Sequence, residues 1–415
     1  MHERKPAMEV VVLANRRVSQ GKTFVIDMVR ENTKLFSPFT VAARVCRCTS
    51  RWDLNMTDIF PHLDYKPKLP QRLDHEIGII GAGGIVNYAH LPAYKKAGFK
   101  VVCITDRDRE KAQRTAKEHG IGTVCANVSE LLSRPEVEIV DIAVYPAEQV
   151  GIVEQAAASG KHLLCQKPFA DEYSKAVRSV ELAERAKVKI AVNQQMRWDA
   201  GIRCARLLID DGWLGAPTYG AIQVHCKTDW SLWPWIYQGK HVEIMFHSIH
   251  YIDSLRYLLG DPAYVFTSGS RAPGETTQAE TKTLTTWEYK SGLQVLIDVC
   301  HTTWHDDPYA IFRFEGTEGV IKGTIGLMYN YPTGRPDTLE FMSKRNPGYW
   351  FSARLDSMWI PDAFVGPMAS LMRSIESGSE PETSGRDNLR TLQVVFAEYR
   401  SMAEKRAVRP EEINA

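Results

Sequence analysis

The chain has 415 residues, 44% of them hydrophobic, with 51 Lys and Arg set against 50 Asp and Glu. That length exceeds one average domain and can bury a large core. A net charge of +1 leaves no electrostatic footprint for nucleic acid or a membrane surface. No apolar run approaches the ~20 residues of a membrane span, and the opening "MHERKPAMEV" lacks the apolar core of a signal peptide. The cysteines are scattered, with neither a CxxC pair nor zinc spacing, so reduced thiols in a cytoplasmic protein are expected.

Residues 1–74 read as a β-rich extension. "EVVVLANRR", "KTFVIDMVRE" and "FTVAARVCRC" carry β-type alternation. The stretch "PHLDYKPKLPQRLD", with its prolines and dense charge, has linker composition. Two placements fit the extension, an arm lying on another subunit or a small sheet packed on its own chain. From residue 76 strands and helices alternate: "EIGII", "NYAHLPAYKKA", "KVVCITD", "REKAQRTAKEHG", "GTVCA", "VSELLSRP", "VEIVDIAVY", "AEQVGIVEQAAASG", "KHLLCQ", "DEYSKAVRSVELAERA" and "VKIAVNQQ". Such alternation, with strands apolar throughout, predicts a doubly wound parallel sheet of Rossmann type over 75–196.

The first strand-to-helix turn is "GIIGAGGIVNYAH". Gly81 and Gly83 match the first two positions of GxGxxG, and Val86 stands at the third. The first glycine permits a tight turn, and the second lets backbone N–H groups approach a pyrophosphate at a helix N-terminus. Gly84 and Ile85 lie in the same turn. Asp106 closes the second strand, where a carboxylate accepts from the adenosine ribose and repels a 2′-phosphate. NAD is therefore expected, with NADP possible because Arg107 could hold a phosphate. Ligands in such sheets bind beyond the C-terminal strand ends. That adds Tyr145, Pro146, Gln166 and Asn193 to the candidate cofactor contacts. Lys167, in "KHLLCQKPFADE", stands at one of these ends, and Pro168 restricts its backbone. Its ammonium is expected at the nicotinamide end of the crevice. A carbinol losing hydride needs a proton acceptor, and a lysine with a lowered pKa can serve.

Past residue 197 the texture changes. A helix, "IRCARLLIDDGW", precedes the strand "TYGAIQVHCKT", and a second helix, "VEIMFHSIHYIDSLRYLLG", follows. Then come "AYVFTSGS", "TKTLTTWEY", "LQVLIDVCHTTW", "AIFRFEGT" and "GVIKGTIG", strands in succession, and two closing helices. This pattern predicts an α+β domain over 197–415 with a large, mostly antiparallel sheet. Arg197 and Trp198, in "NQQMRW", open it at the cleft. The loop "TDWSLWPWIYQGKH" concentrates Trp230, Trp233 and Trp235, rings suited to sugar faces and equally to a packed loop or subunit contact. In "HTTWHDD", His301 and His305 with Asp306 or Asp307 raise a metal question, as do His241, Glu243 and His247. Hydride transfer needs no metal, the spacing matches no known site type, and none is expected.

The chain resembles the Gfo/Idh/MocA oxidoreductases over about residues 75–408. "GIIGAGGIV" is similar to that family's fingerprint, and "GKHLLCQKPFA" to its GKHVxxEKPxA segment with Gln166 in place of glutamate. "HSIHYIDSLRYLLG" resembles its GxHxxDxxRxLxG helix, and "FRFEGTEGVIKG" and "PETSGRDNLRTLQVVFAEYRS" its sheet and final helix. The resemblance implies a nicotinamide cofactor and a sugar, polyol or glycoside substrate. It also assigns Lys167 as general base and His250 as the residue that positions the substrate hydroxyl. Phe246 occupies the place of the family's aspartate, with His247 and Glu243 as the nearest substitutes. Lys167, Asn193, Arg197, Trp198, Trp233, Trp235, His247 and His250 are the expected substrate contacts. Asp253 and Arg256 are expected to tie the helix down. An NAD(P)-dependent dehydrogenase is the leading reading. A non-catalytic NAD(P)-binding sensor and a redox-neutral glycosidase are the alternatives. The apolar outer face of the second sheet predicts a homodimer or tetramer.

Overall fold

The computed structural model describes residues 63–303 and 307–415, together with Pro61 and one short strand, β1 (Val12–Asn15). The expected strands "KTFVIDMVRE" and "FTVAARVCRC" lie outside the described residues, as do His305 and Asp306.

The first sheet comprises β2 (Glu76–Ile80), β3 (Lys100–Thr105), β4 (Thr123–Val124), β5 (Ile139–Ile142), β6 (His162–Cys165) and β7 (Ile190–Val192). All its pairings are parallel, in the order β4-β3-β2-β5-β6-β7. This is the doubly wound arrangement, and its reversal of strand order beside β2 opens a crevice at the C-terminal strand ends. Ile77, Ile79, Val140, Leu163 and Leu164 are fully buried, as strands covered on both faces require. Asp141, in the middle of β5, is equally buried.

The second sheet adds β8 (Pro217–His225), β9 (Tyr264–Ser270), β10 (Lys282–Glu288), β11 (Gln294–Cys300), β12 (Tyr309–Gly316), β13 (Gly319–Thr324), β14 (Thr338–Ser343) and β15 (Trp350–Ala353). With β1 it forms nine strands in the order β1-β15-β14-β13-β12-β8-β11-β10-β9. Every pairing is antiparallel except β8 with β11. One face receives helices: Trp287 of β10 is buried and donates its indole N–H to Glu398 Oε1 at 2.9 Å, on the helix Gly385–Glu404. The other face leaves Tyr264, Phe266, Leu284 and Tyr309 exposed.

The proline-rich linker is fastened down. Leu63 and Tyr65 are buried, and the Tyr65 hydroxyl donates to Asp356 at 2.5 Å. The backbone N–H groups of Gln71 and Arg72 donate to Glu376 at 3.0 and 2.8 Å. Beyond β7, Arg197 anchors the helices of the second domain. Its Nε and Nη2 donate to both oxygens of Asp253 at 2.6 and 2.7 Å, and Nη2 also reaches Asp387. Arg256 donates to Asp261 at 2.7 Å and Thr391 at 2.6 Å. The expected anchoring by Asp253 and Arg256 thus runs chiefly through other partners, since the two side chains approach each other only to 3.9 Å.

Candidate active site

The glycine turn follows β2. Gly81 has φ +112°, and a Cβ there would meet the Ala143 carbonyl at 2.3 Å, so only glycine fits. Nothing lies within 4 Å of a Cβ built on Gly83, which leaves open space above the helix start. Asp106 braces this turn: one carboxylate oxygen accepts from Ala82 N–H at 2.7 Å and the other from Asp108 N–H at 2.8 Å. A carboxylate has about four acceptor directions, so capacity remains for two ribose hydroxyls. Arg107 donates to Glu148 at 2.8 Å and lies 5.4 Å from the Tyr145 ring. Ile85 is half-buried, whereas the Val86 side chain is fully buried and turned into the core. Pro146 opens the helix Pro146–Ala158, whose Gln149 donates to the carbonyls of Gln166 and Pro168 at 2.8 Å each. That clamp holds the corner bearing Lys167.

A buried chain of hydrogen bonds leads to Asn193. Tyr94 OH and His90 Nδ1–H both donate to Asp141 Oδ2 at 2.7 Å, and Asn193 Nδ2 donates to His90 Nε2 at 3.1 Å. The carboxylate fixes the histidine tautomer, which fixes the amide. Asn193 Oδ1 is left buried without a partner among the described residues, and so is Gln166 Oε1. Open space at the glycine turn, an available carboxylate at Asp106 and two unspent amide oxygens at the strand ends fit a nicotinamide dinucleotide.

Lys167 is half-buried, and its Nζ donates to the backbone carbonyl of Phe246 at 2.8 Å. Burial brings its pKa down to about 7. Phe246 belongs to a π-type turn, Ile244–Ser248, leading into the helix Ile249–Leu259. Such turns change the phase of a helix face and gather at functional sites. The Phe246 ring faces Trp235 at 5.1 Å, while the His250 ring stands edge-on to Trp359 at 5.1 Å. The i, i+4 spacing expected to put both residues on one face is thereby altered. Where the family pattern has a carboxylate, a neutral carbonyl of the same residue meets the lysine. Glu243 does not substitute for that carboxylate: it accepts from Ser248 at 2.5 Å and Thr283 at 2.6 Å, turned into the core.

His247 and His250 are both held well below the usual histidine pKa, first by burial, then by His301 and Lys167 acting on His247 and by Lys167 and His247 acting on His250. The Trp233 ring lies 6.2 Å from that of Tyr331, and Trp235 packs on Tyr145 at 4.7 Å. Lys167, Phe246, Trp235, His247 and His250 therefore come together at one end of the crevice. Arg197 and Trp198 are placed otherwise. The Arg197 guanidinium is taken up by Asp253, Asp387 and the Glu382 carbonyl, and Trp198 packs on Gly366 and Arg203. Sequence reasoning missed His90 and Asp141. Their signal was an acid within a strand otherwise apolar. It treated His301 only as a metal candidate, but the His301 ring packs on His247 at 4.5 Å. Among the described residues no group of three or more His, Cys, Asp and Glu could hold a metal ion.

Residues 75–194 match the model of the oxidoreductase family with an NAD-binding Rossmann fold, and residues 202–322 match that family's C-terminal domain. D-apiose dehydrogenase of Paraburkholderia graminis is 28% identical over 81% of this chain and 90% of its own length. The 1,5-anhydro-D-fructose reductase of Ensifer adhaerens is 25% identical over 79% of this chain and 96% of its own. A crystal structure of an oxidoreductase from Agrobacterium radiobacter, in complex with NAD+, L-tartaric acid and magnesium, superposes with a TM-score of 0.72 at 25% identity. It covers 82% of this chain and all of that one. With both domain models matched in order, and the glycine turn, the strand-end lysine and the histidine helix assembled around one crevice, the chain belongs to the Gfo/Idh/MocA family of oxidoreductases.

Proposed function

We propose that the protein is an NAD-dependent oxidoreductase that exchanges hydride with a secondary carbinol of a sugar, polyol or glycoside. Lys167 is its general base and acid, and His250 positions the reacting hydroxyl. The observation that carries this reading is the state of Lys167. It is desolvated, held by a neutral carbonyl, and brought to a pKa of about 7 at the end of the crevice where His250 also stands. Bound in the crevice, the nicotinamide supplies the hydride acceptor or donor. In oxidation the neutral amine takes the hydroxyl proton, and in reduction the ammonium returns it. A base whose pKa lies near neutrality is well matched to either direction. His250, kept neutral by burial, can donate to or accept from the same hydroxyl.

Asp106 selects NAD, and its adjacent arginine is already paired with Glu148. In this reading residues 75–196 bind the cofactor, and residues 197–415 bind the substrate and carry the assembly face. The aromatic wall of Trp233, Trp235 and Phe246 suits the C–H faces of a sugar ring. The activities of the relatives make D-apiose and 1,5-anhydro-D-fructose the first compounds to try. The test is NADH absorbance when protein, NAD and a sugar panel are mixed, with 1,5-anhydro-D-fructose assayed as NADH consumption. Turnover of at least one sugar that Lys167→Ala abolishes supports the proposal; NAD binding with no turnover on any sugar favours a non-catalytic sensor.

A further inference from the structure

Around the end of β11 lie several buried ring nitrogens that the proposed chemistry does not use. His301 is 2% exposed and Trp230 7%. The rings of His247, His301 and Trp230 form a closed triangle, with centroids 4.5 Å apart for the two histidines and 5.2 and 5.0 Å from Trp230 to each. One nitrogen of each ring, His247 Nδ1, His301 Nε2 and Trp230 Nε1, is buried with no hydrogen-bond partner among the described residues. His250 Nδ1, one helical turn on, is in the same condition. An unmade buried hydrogen bond costs about 1–3 kcal/mol each. Four in one neighbourhood mark a place where a polar ligand completes the set.

The charge around these atoms is as informative. The other nitrogen of His301 faces the Thr228 hydroxyl at 2.7 Å and the Cys226 thiol at 3.5 Å, both neutral. Burial carries its pKa down to about 3. Among the described residues, the acids around these elements are engaged elsewhere: Glu243 with Ser248 and Thr283, Glu280 with Tyr399 at 2.7 Å, and Asp229 with Ser231 at 2.6 Å. The guanidiniums at the cleft are spent as well, Arg197 on Asp253 and Asp387 and Arg107 on Glu148. A carboxylate placed beside these rings would lose its hydration and meet no arginine fork; the cation at hand is Lys167, whose pKa it would raise, withdrawing the neutral amine that oxidation needs.

We infer that His247, His301 and Trp230 form the subsite that reads the hydroxyls beside the reacting carbon, and that it is built for an uncharged sugar or polyol and against sugar acids. The inference rests on the oxidoreductase reading above and adds the substrate class within it. The unpartnered nitrogen of each neutral imidazole presents a donor or an acceptor according to its tautomer, and the indole adds a donor. Adjacent hydroxyls of an uncharged polyol can meet all three. A site made of such groups rejects ligands that leave them unpaired.

The test uses the full-length protein with NAD. Thermal shift and NADH formation are measured for D-glucose, D-xylose, D-apiose and myo-inositol, and in parallel for D-glucuronate and D-galacturonate. We expect the melting temperature to rise only with neutral members, and kcat/KM for the best of them to exceed that for either acid at least 100-fold. Trp230→Phe, which removes the indole N–H along with part of the ring, and His301→Ala should each raise KM about tenfold while the acid limb of the kcat profile stays in place. His301→Lys should narrow the gap between neutral and acidic compounds. Preferential binding or turnover of the uronates would overturn the inference and leave the dehydrogenase reading standing. Unchanged KM in both Trp230→Phe and His301→Ala would also overturn it. A panel silent in both readouts would sink the inference and the sugar reading together.

Discussion

Replacing Phe246 by aspartate restores a carboxylate where the family pattern has one, and its effect can be worked out from the lysine. Lys167 Nζ sits 2.8 Å from the carbonyl of that same residue and has a pKa of about 7 with burial as the only cause. An opposite charge within a few ångströms raises a lysine pKa by about 1–3 units. At pH 7 the neutral fraction of the amine is about one half in the native protein. A shift of one unit lowers it to about one-tenth, and two units to about one-hundredth. The acid limb of kcat should therefore move up by one unit or more. Activity at pH 7 should drop about 5- to 50-fold and recover at high pH. Stopped-flow or steady-state NADH absorbance from pH 5.5 to 10 reads this directly, with the limb's position taken separately from its plateau. Phe246→Asn has similar shape and no charge and should leave the limb near 7. If aspartate leaves the limb unmoved or shifts it downward, Lys167 is not the group that titrates, and the account of its environment is wrong.

Asp106→Ala removes the brace on Ala82 and Asp108 and the ribose acceptor. It should raise the NAD KM about 10–100-fold and narrow the preference over NADP, and a wild type that already prefers NADP would refute the selection argument. Glu398 is buried beneath Trp287, its pKa raised to about 8 from the ordinary 4.5. A raised carboxyl contributes stability that is complete below the unfolded pKa and is lost as pH rises through the folded one. Glu398→Gln keeps the acceptor for the indole, so its melting temperature relative to the native protein should climb between pH 5 and 9; a constant difference would contradict the assignment. The exposed Tyr264, Phe266, Leu284 and Tyr309 predict a homodimer or tetramer through the outer face of the nine-stranded sheet. Light scattering at micromolar concentration should show it, and Leu284→Arg with Phe266→Glu should dissociate it; a native monomer would refute the interface.

The parallel sheet and its crevice were legible because continuous apolar strands and helical spacing alternate from residue 76. Gly81 was legible because its position demands a residue without Cβ. Lys167 was found by its place at a strand end. Phe246 shows what linear spacing cannot convey. The i, i+4 rule assumes an α-helix, and the π-type turn at Ile244–Ser248 shifts the phase, so the residue acts through its carbonyl while its ring faces Trp235. His90 and Asp141 are far apart in the chain, and their pairing depends on a helix folding back across the sheet. Arg197 reads as a cleft residue from its position after β7, yet the carboxylates that take up its charge, Asp253 and Asp387, come from helices much later in the sequence. β14 and β15 were passed over because their short alternating runs lie among loops.

Lys167 moves the proton in this mechanism, and its ionisation can be read directly. The most direct measurement is the pH profile of kcat for the native protein and Lys167→Ala on the best sugar, with NAD affinity measured alongside by fluorescence. The native profile should rise through one ionisation near 7, well below the ~10.4 of a free lysine. Lys167→Ala should lose about 10²–10⁴-fold in kcat together with that ionisation, while NAD binding is retained. A variant with near-native rate and an unchanged profile would contradict this role and leave Lys167 as a structural strand end.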